Sequence, residues 1–237
     1  MEFHPDKCQV LTITNKISPI HSNYFIHSTK LSSTASAKYL GITIDKNLKF
    51  TKHINNVCAK TSSTLSFLQR NLSHCPKHVK NVCYKTLIRP VLEYGCCVWD
   101  PHHQNYIEKL EKIQKRAARF ATGNYAFTSG NSKKNLLDLD WKALVERRAR
   151  SKLITLFKGR AGLIDIPIDD LIVPNRTTRR KAASNFHIPH SSVDSHLHSF
   201  FPSTIRLWNS LPEPVKACDS LTGFQQALDA LETRIRA

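Results

Sequence analysis

The chain has 237 residues, 41% of them hydrophobic and 22% charged, which suffices to bury a core in one large or two small domains. Its 35 Lys and Arg against 18 Asp and Glu leave a net charge of +17, a balance that favours a polyanionic partner. No apolar run approaches the roughly 18 residues of a membrane span, the opening Met1-Glu2-Phe3-His4-Pro5-Asp6 lacks the basic and apolar regions of a secretory leader, and none of the seven glycines falls in a Rossmann or P-loop pattern.

The expectation is a cytoplasmic or nuclear protein that neither crosses nor binds a membrane. Seven cysteines, an odd number with Cys96 and Cys97 adjacent, agree with a reducing compartment. The charge is unevenly placed. Residues 1–50 carry +3, residues 51–160 carry +14, and residues 161–237 are neutral, so the middle of the chain reads as a contact surface.

In chain order, the first fifty residues read as strands. Val10-Leu11-Thr12-Ile13 and Leu40-Gly41-Ile42-Thr43-Ile44 alternate with period two, and Tyr24-Phe25-Ile26 lies between them. The period then changes: Ile54, Val57, Thr61, Leu65, Leu68 and Leu72 draw one apolar stripe along a helix. A second helix starts near Pro76 and carries Val79, Cys83, Leu87 and Val91 at steps of four, with a kink expected at Pro90.

A third helix, residues 103–122, presents Ile107, Leu110, Gln114, Ala117 and Ala121 on one face and ends at Gly123. Lys109, Lys112, Arg116 and Arg119 form a separate basic stripe, which beside the small Ala117 and Ala118 suits a phosphate backbone. A fourth helix, with Asp140 as its N-cap, is expected to point Trp141, Val145, Ala149, Leu153 and Leu156 inward. Its Arg147, Arg148, Arg150 and Lys152 are expected to face outward. Residues 159–203 lose periodicity, and a short last helix after Ser220 aligns Leu221, Phe224, Leu228 and Leu231. The fold class that follows is α+β and mostly helical, with a small N-terminal antiparallel β-hairpin or sheet.

Catalytic constellations are scarce. Asp169 and Asp170 lie between Pro167 and Pro174 with no third carboxylate in an obvious partner strand, whereas two-metal catalysis needs converging carboxylates. The group His74, Cys75, His78, Cys96, Cys97, His102 and His103 contains no C-x-x-C spacing. No G-x-S-x-G is present.

Ordered segments carry a family resemblance. Lys38-Tyr39-Leu40-Gly41-Ile42-Thr43-Ile44 with Lys52-His53-Ile54 is followed by Tyr84-Lys85-Thr86-Leu87-Ile88-Arg89-Pro90-Val91-Leu92-Glu93-Tyr94 and Val98-Trp99-Asp100-Pro101. Leu110-Glu111-Lys112-Ile113-Gln114-Lys115-Arg116-Ala117-Ala118-Arg119-Phe120 comes next, and Ser199-Phe200-Phe201-Pro202-Ser203-Thr204-Ile205-Arg206-Leu207-Trp208-Asn209-Ser210-Leu211-Pro212 resumes the pattern. Together they resemble the palm end, thumb and post-thumb region of non-LTR (LINE-type) retrotransposon reverse transcriptases.

The resemblance implies a residual palm edge with a primer-grip-like hairpin over 1–50, a helical thumb over 51–125, a post-thumb helix over 126–160, a long loop over 161–203 and a C-terminal helical segment over 204–237. Lys38, Tyr39, Leu40 and Gly41 match the hairpin, where the glycine lets backbone approach a primer phosphate and the apolar pair packs on the palm. The implied partners are an RNA–DNA or DNA duplex backbone, contacted also by Lys109, Lys112, Arg116, Arg119, Arg147 and Arg148, and the palm and fingers of a complete enzyme. The family's polymerase aspartates and endonuclease precede the matched region, so the expectation is a truncated fragment that is not catalytic alone and needs no metal or cofactor. The competing expectation is a helical interaction module whose basic face binds an acidic protein.

Overall fold

The computed structural model describes residues 4–14, 16–20, 22–126, 128–166, 168, 172–174 and 184–236. The chain divides into two compact units, Met1–Gly95 with His103–Gly123, and Cys96–His102 with Asn124–Ala237. The architecture is α+β and mostly helical, with small β-elements at the N-terminal end.

The first unit opens with short strands β1 (Gln9–Val10), β2 (Phe25–Ile26), β3 (Thr29–Lys30), β4 (Ser32–Ser33), β5 (Ser36–Tyr39) and β6 (Ile42–Asp45). β2 pairs with β3 and β5 with β6, both antiparallel. The strand expected over residues 10–13 is reduced to Gln9–Val10, which pairs in parallel with β4. Leu40 also departs from expectation: with Gly41 it forms the turn of the β5–β6 hairpin, at φ 45° and 85°. Positive φ at both central residues gives the turn whose twist matches the strands it joins.

α1 (Thr51–Asn71) buries Ile54, Val57, Thr61, Leu65 and Leu68, as its spacing requires, together with His53 and Cys58. α2 (Lys77–Cys83) follows Pro76 and runs into a π-helical turn, Tyr84–Ile88, before α3 (Arg89–Glu93). Pro90 explains the widening. It has no N–H to give, and its ring would meet the carbonyl four residues back; instead the Arg89 N–H donates to the Tyr84 carbonyl, five residues back.

The buried row is Tyr84, Ile88 and Leu92 rather than Val79, Cys83, Leu87 and Val91: Val79 and Cys83 are half-buried, and Leu87 is left 50% exposed. α4 (Cys96–Trp99) belongs to the second unit, and α5 (Gln104–Thr122) returns to the first. α5 buries Leu110, Ile113, Gln114, Ala117, Ala118, Phe120 and Ala121 and packs on α1 and α2. Gly123, at φ 70°, ends it by donating its N–H to the Arg119 carbonyl.

The second unit contains α6 (Asn131–Asp138), α7 (Leu144–Arg160), α8 (Asp194–Leu197), α9 (Phe200–Asn209), α10 (Glu213–Lys216) and α11 (Leu221–Arg236). Its core joins Leu153, Leu156 and Phe157 of α7 to Ile205 and Trp208 of α9 and Phe224 and Leu228 of α11. Ile168 and Ile172, from the stretch expected to be loop, are buried in that core. A Cβ on Gly159 would stand 2.6 Å from the Ile168 side chain, so the glycine admits that chain.

α6 has no strong apolar stripe and was not expected; it is seated by polar groups. The Asn124 amide donates to the side-chain oxygens of Asn131, at 2.7 Å, and of Asn135, at 3.1 Å. Both acceptors are buried. α7 starts three residues later than its expected cap would set it, because Asp140 sits at φ 51° and Ala143 takes the cap position.

Candidate nucleic-acid interface

The β5–β6 hairpin is fixed from two sides within the first unit. From α1, His53 Nδ1 accepts the Thr43 N–H at 3.2 Å, and the Lys52 ammonium donates to Ser36 Oγ at 3.1 Å. From the end of α3, the Tyr94 hydroxyl donates to the Leu40 carbonyl at 2.9 Å. Leu40 is a residue type for which positive φ is costly, so this bond holds a strained turn in place. His53 is buried, and burial pushes its pKa below the ordinary 6.5, which keeps the ring neutral as an acceptor.

The four hairpin residues singled out by sequence are adjacent in space but differ in what they face. Lys38 and Gly41 line a cleft of about 510 Å³ bounded by α1 and α3, with Thr43, Asn56, Lys60, Val91 and Tyr94 among its walls. Tyr39 and Leu40 are 66% and 72% exposed. Gly41 has a reason of its own within this chain, since a Cβ there would lie 3.3 Å from the Tyr94 ring. Lys60, Asn56 and Tyr94 were not expected by sequence reasoning; only the three-dimensional packing of α1 and α3 on the hairpin brings them together.

The basic stripe of α5 lies opposite its buried face. Lys109 and Lys112 are exposed, and Arg116 and Arg119 are half-buried. Lys109 Nζ reaches Asn55 Oδ1 of α1 at 2.6 Å. Lys112, Arg116 and Arg119 make no ion pair among the described residues. Ala117 and Ala118 do not assist: they are 2% and 0% exposed, so their small size serves helix packing rather than approach to a phosphate.

In the second unit the outward assignment of the α7 cations is corrected. Arg148 is fully buried and Lys152 is 6% exposed, in one row with Leu144 and Leu156, whereas Val145, expected inward, is 43% exposed. Both cations meet one carboxylate: Arg148 Nε lies 2.7 Å from Asp100 Oδ1, and Lys152 Nζ lies 2.5 Å from Asp100 Oδ2. Arg148 is a structural ion-pair partner inaccessible to a phosphate; Arg147 is half-buried. Arg150 and Lys142 pair with Asp229 of α11.

Cys96 is buried, and its thiol is pushed up by a hydrogen bond to Cys97 and by burial. That of Cys97 is lowered to about 6 by the Cys96 hydrogen bond and by contacts to Thr155 and Ser151. Among the described residues no three His, Cys, Asp or Glu side chains converge as a metal site. Asp169 and Asp170 lie outside the described residues. No helix among those described is long and apolar enough to cross a membrane.

The first unit thus carries both a hairpin pinned by α1 and Tyr94 and the cations of α5, and comparison with known proteins gives the chain relatives. Over 102 residues, 42% of the chain, it is 28% identical to the probable RNA-directed DNA polymerase from transposon X-element of Drosophila melanogaster. It is 27% identical over 109 residues to the probable polymerase from transposon BS, and 25% identical over 126 residues to that of the mobile element jockey, both of the same organism. The matched stretches cover 11%, 12% and 14% of those proteins, so the chain spans a small part of the relatives it matches. Its homologues are RNA-directed DNA polymerases of non-LTR retrotransposons, matched as a fragment matches. No family model and no solved structure matches the chain.

Proposed function

We propose that this chain is a template–primer-binding segment of a non-LTR retrotransposon reverse transcriptase, and that it holds a duplex without extending a primer on its own. The reading rests on one observation above all: the side of α5 away from its buried residues carries Lys109, Lys112, Arg116 and Arg119 in a row, the first two exposed and the last two half-buried, in the same compact unit as the Lys38 hairpin. Cations aligned along a helix neutralise successive phosphates and are insensitive to base sequence. An RNA–DNA hybrid suits such a surface, since its sugar–phosphate shape is what a protein reads on it. The palm and fingers of the complete enzyme would supply the reacting groups.

The test is fluorescence-anisotropy binding of the full chain to an RNA–DNA hybrid, duplex DNA and single strands at several salt concentrations, with Mg²⁺-dependent primer extension run on the same preparation. The expected result is salt-sensitive duplex binding without extension. Absence of binding at low salt, together with capture of an acidic protein, would assign the basic face to a protein partner, and primer extension would restore catalysis to the chain.

A further inference from the structure

The cleft against the hairpin has features that backbone tracking by α5 does not use. Its volume, about 510 Å³, lies within the range of small-ligand sites. Two cations border it from different elements, Lys38 on β5 and Lys60 on α1, and no carboxylate lines it among the described residues. An anion is therefore favoured there, and nothing in the wall opposes it.

Phosphate alone would leave the rest of the cleft unexplained. Tyr94, a residue 58% exposed, stands at the cleft wall, and Val57 and Val91 add apolar surface. The ring is held before any ligand arrives by its hydroxyl bond to Leu40 at 2.9 Å, and it stands where a Cβ on Gly41 would meet it at 3.3 Å, so little side-chain entropy is lost on stacking. Thr43 and Asn56 supply polar groups at the edge. A planar aromatic surface, two cations and a few polar groups match one chemical class, a nucleotide.

We propose that this cleft receives a single unpaired nucleotide at the end of a bound strand, with its base against Tyr94 and its phosphate between Lys38 and Lys60. The proposal rests on the nucleic-acid reading above and adds a site distinct from the α5 stripe. A fully paired end leaves the cleft empty; one unpaired nucleotide fills it.

The experiment compares the full chain bound to a blunt RNA–DNA hybrid and to the same hybrid with one unpaired nucleotide at the 3′ or the 5′ end, 2-aminopurine occupying that position. One overhang should bind about tenfold tighter than the blunt hybrid, with quenched 2-aminopurine fluorescence, as stacking on an aromatic ring provides. The ratio of overhang to blunt affinity is the readout. It should fall toward one in Tyr94→Leu, which keeps apolar bulk beside Gly41, and should fall in Lys60→Gln, which leaves the hairpin contacts intact. Tyr94→Phe, which keeps the ring, should retain most of it. Equal binding of blunt and overhanging hybrids, unquenched 2-aminopurine, or a ratio undiminished in Tyr94→Leu would overturn the proposal. Loss of blunt-hybrid binding itself would instead count against the broader reading.

Discussion

Gly41 and Tyr94 are matched to each other: the glycine leaves room for a ring edge that a Cβ would meet at 3.3 Å, and the tyrosine hydroxyl bonds the carbonyl of the residue before it. The next residues repeat the fit with the roles exchanged. Gly95, at φ 60°, makes room for Ile42, whose Cδ1 would lie 2.6 Å from a Cβ placed there. Two glycine–side-chain pairs thus interlock the hairpin turn with the end of α3.

Alanine at these glycines should separate backbone strain from steric overlap. Gly123, whose missing Cβ meets nothing within 4 Å at φ 70°, carries only the left-handed penalty, and Gly123→Ala should cost about 1–2 kcal/mol. Gly95→Ala adds displacement of buried Ile42 and should cost about 2–4 kcal/mol. Urea unfolding of the variants checks the order, and equal losses would mean that the Ile42 contact contributes nothing.

The Asp100 cluster gives a prediction for the second unit. Removing one member of a buried pair leaves the other charge uncompensated, so Asp100→Asn should lower stability by about 3–5 kcal/mol. Arg148→Met should be destabilising as well while leaving the salt dependence of duplex binding unchanged, because the buried guanidinium reaches no phosphate. A flatter salt dependence in a folded Arg148→Met protein would restore it to the contact surface.

His53 makes the stability of the first unit depend on pH. Its folded pKa is lowered by burial, so below about 6.5 the unfolded chain takes up a proton that the folded chain resists. Stability should be full above that pH and should decline as the pH falls toward the folded value. His53→Gln should flatten that decline; an identical decline in the variant would place the responsible group elsewhere.

How far sequence carried the account differs from element to element. α1 and α5 were legible because their apolar residues keep the helical spacing throughout and Gly123 marks the end of α5. The apolar row from α2 into α3 was misread because the helix does not run on as a regular α-helix through Tyr84–Ile88, and the clue, Pro90, signals a disruption without saying which residues it buries. α7 was misread for a different reason. Arg148 and Lys152 occupy core positions only because Asp100, 48 residues before Arg148, supplies their countercharge, and no local pattern shows such a partner.

The candidate interface divides in the same way. The α5 stripe and the hairpin residues could be read as linear patterns, whereas Tyr94, Lys60 and Asn56 share a cleft only after α1 and α3 pack. Tyr94 was already part of the segment that carried the family resemblance, but its bond to Leu40 spans 54 positions.

The measurement that most directly tests the account is the salt dependence of hybrid binding by the chain in which Lys109, Lys112, Arg116 and Arg119 are all replaced by Gln. If these side chains neutralise phosphates, the slope of log affinity against log salt should flatten by up to about four, with affinity lowered evenly across sequences. A folded variant whose slope equals that of the original chain would contradict the assignment of α5 as the duplex-binding surface.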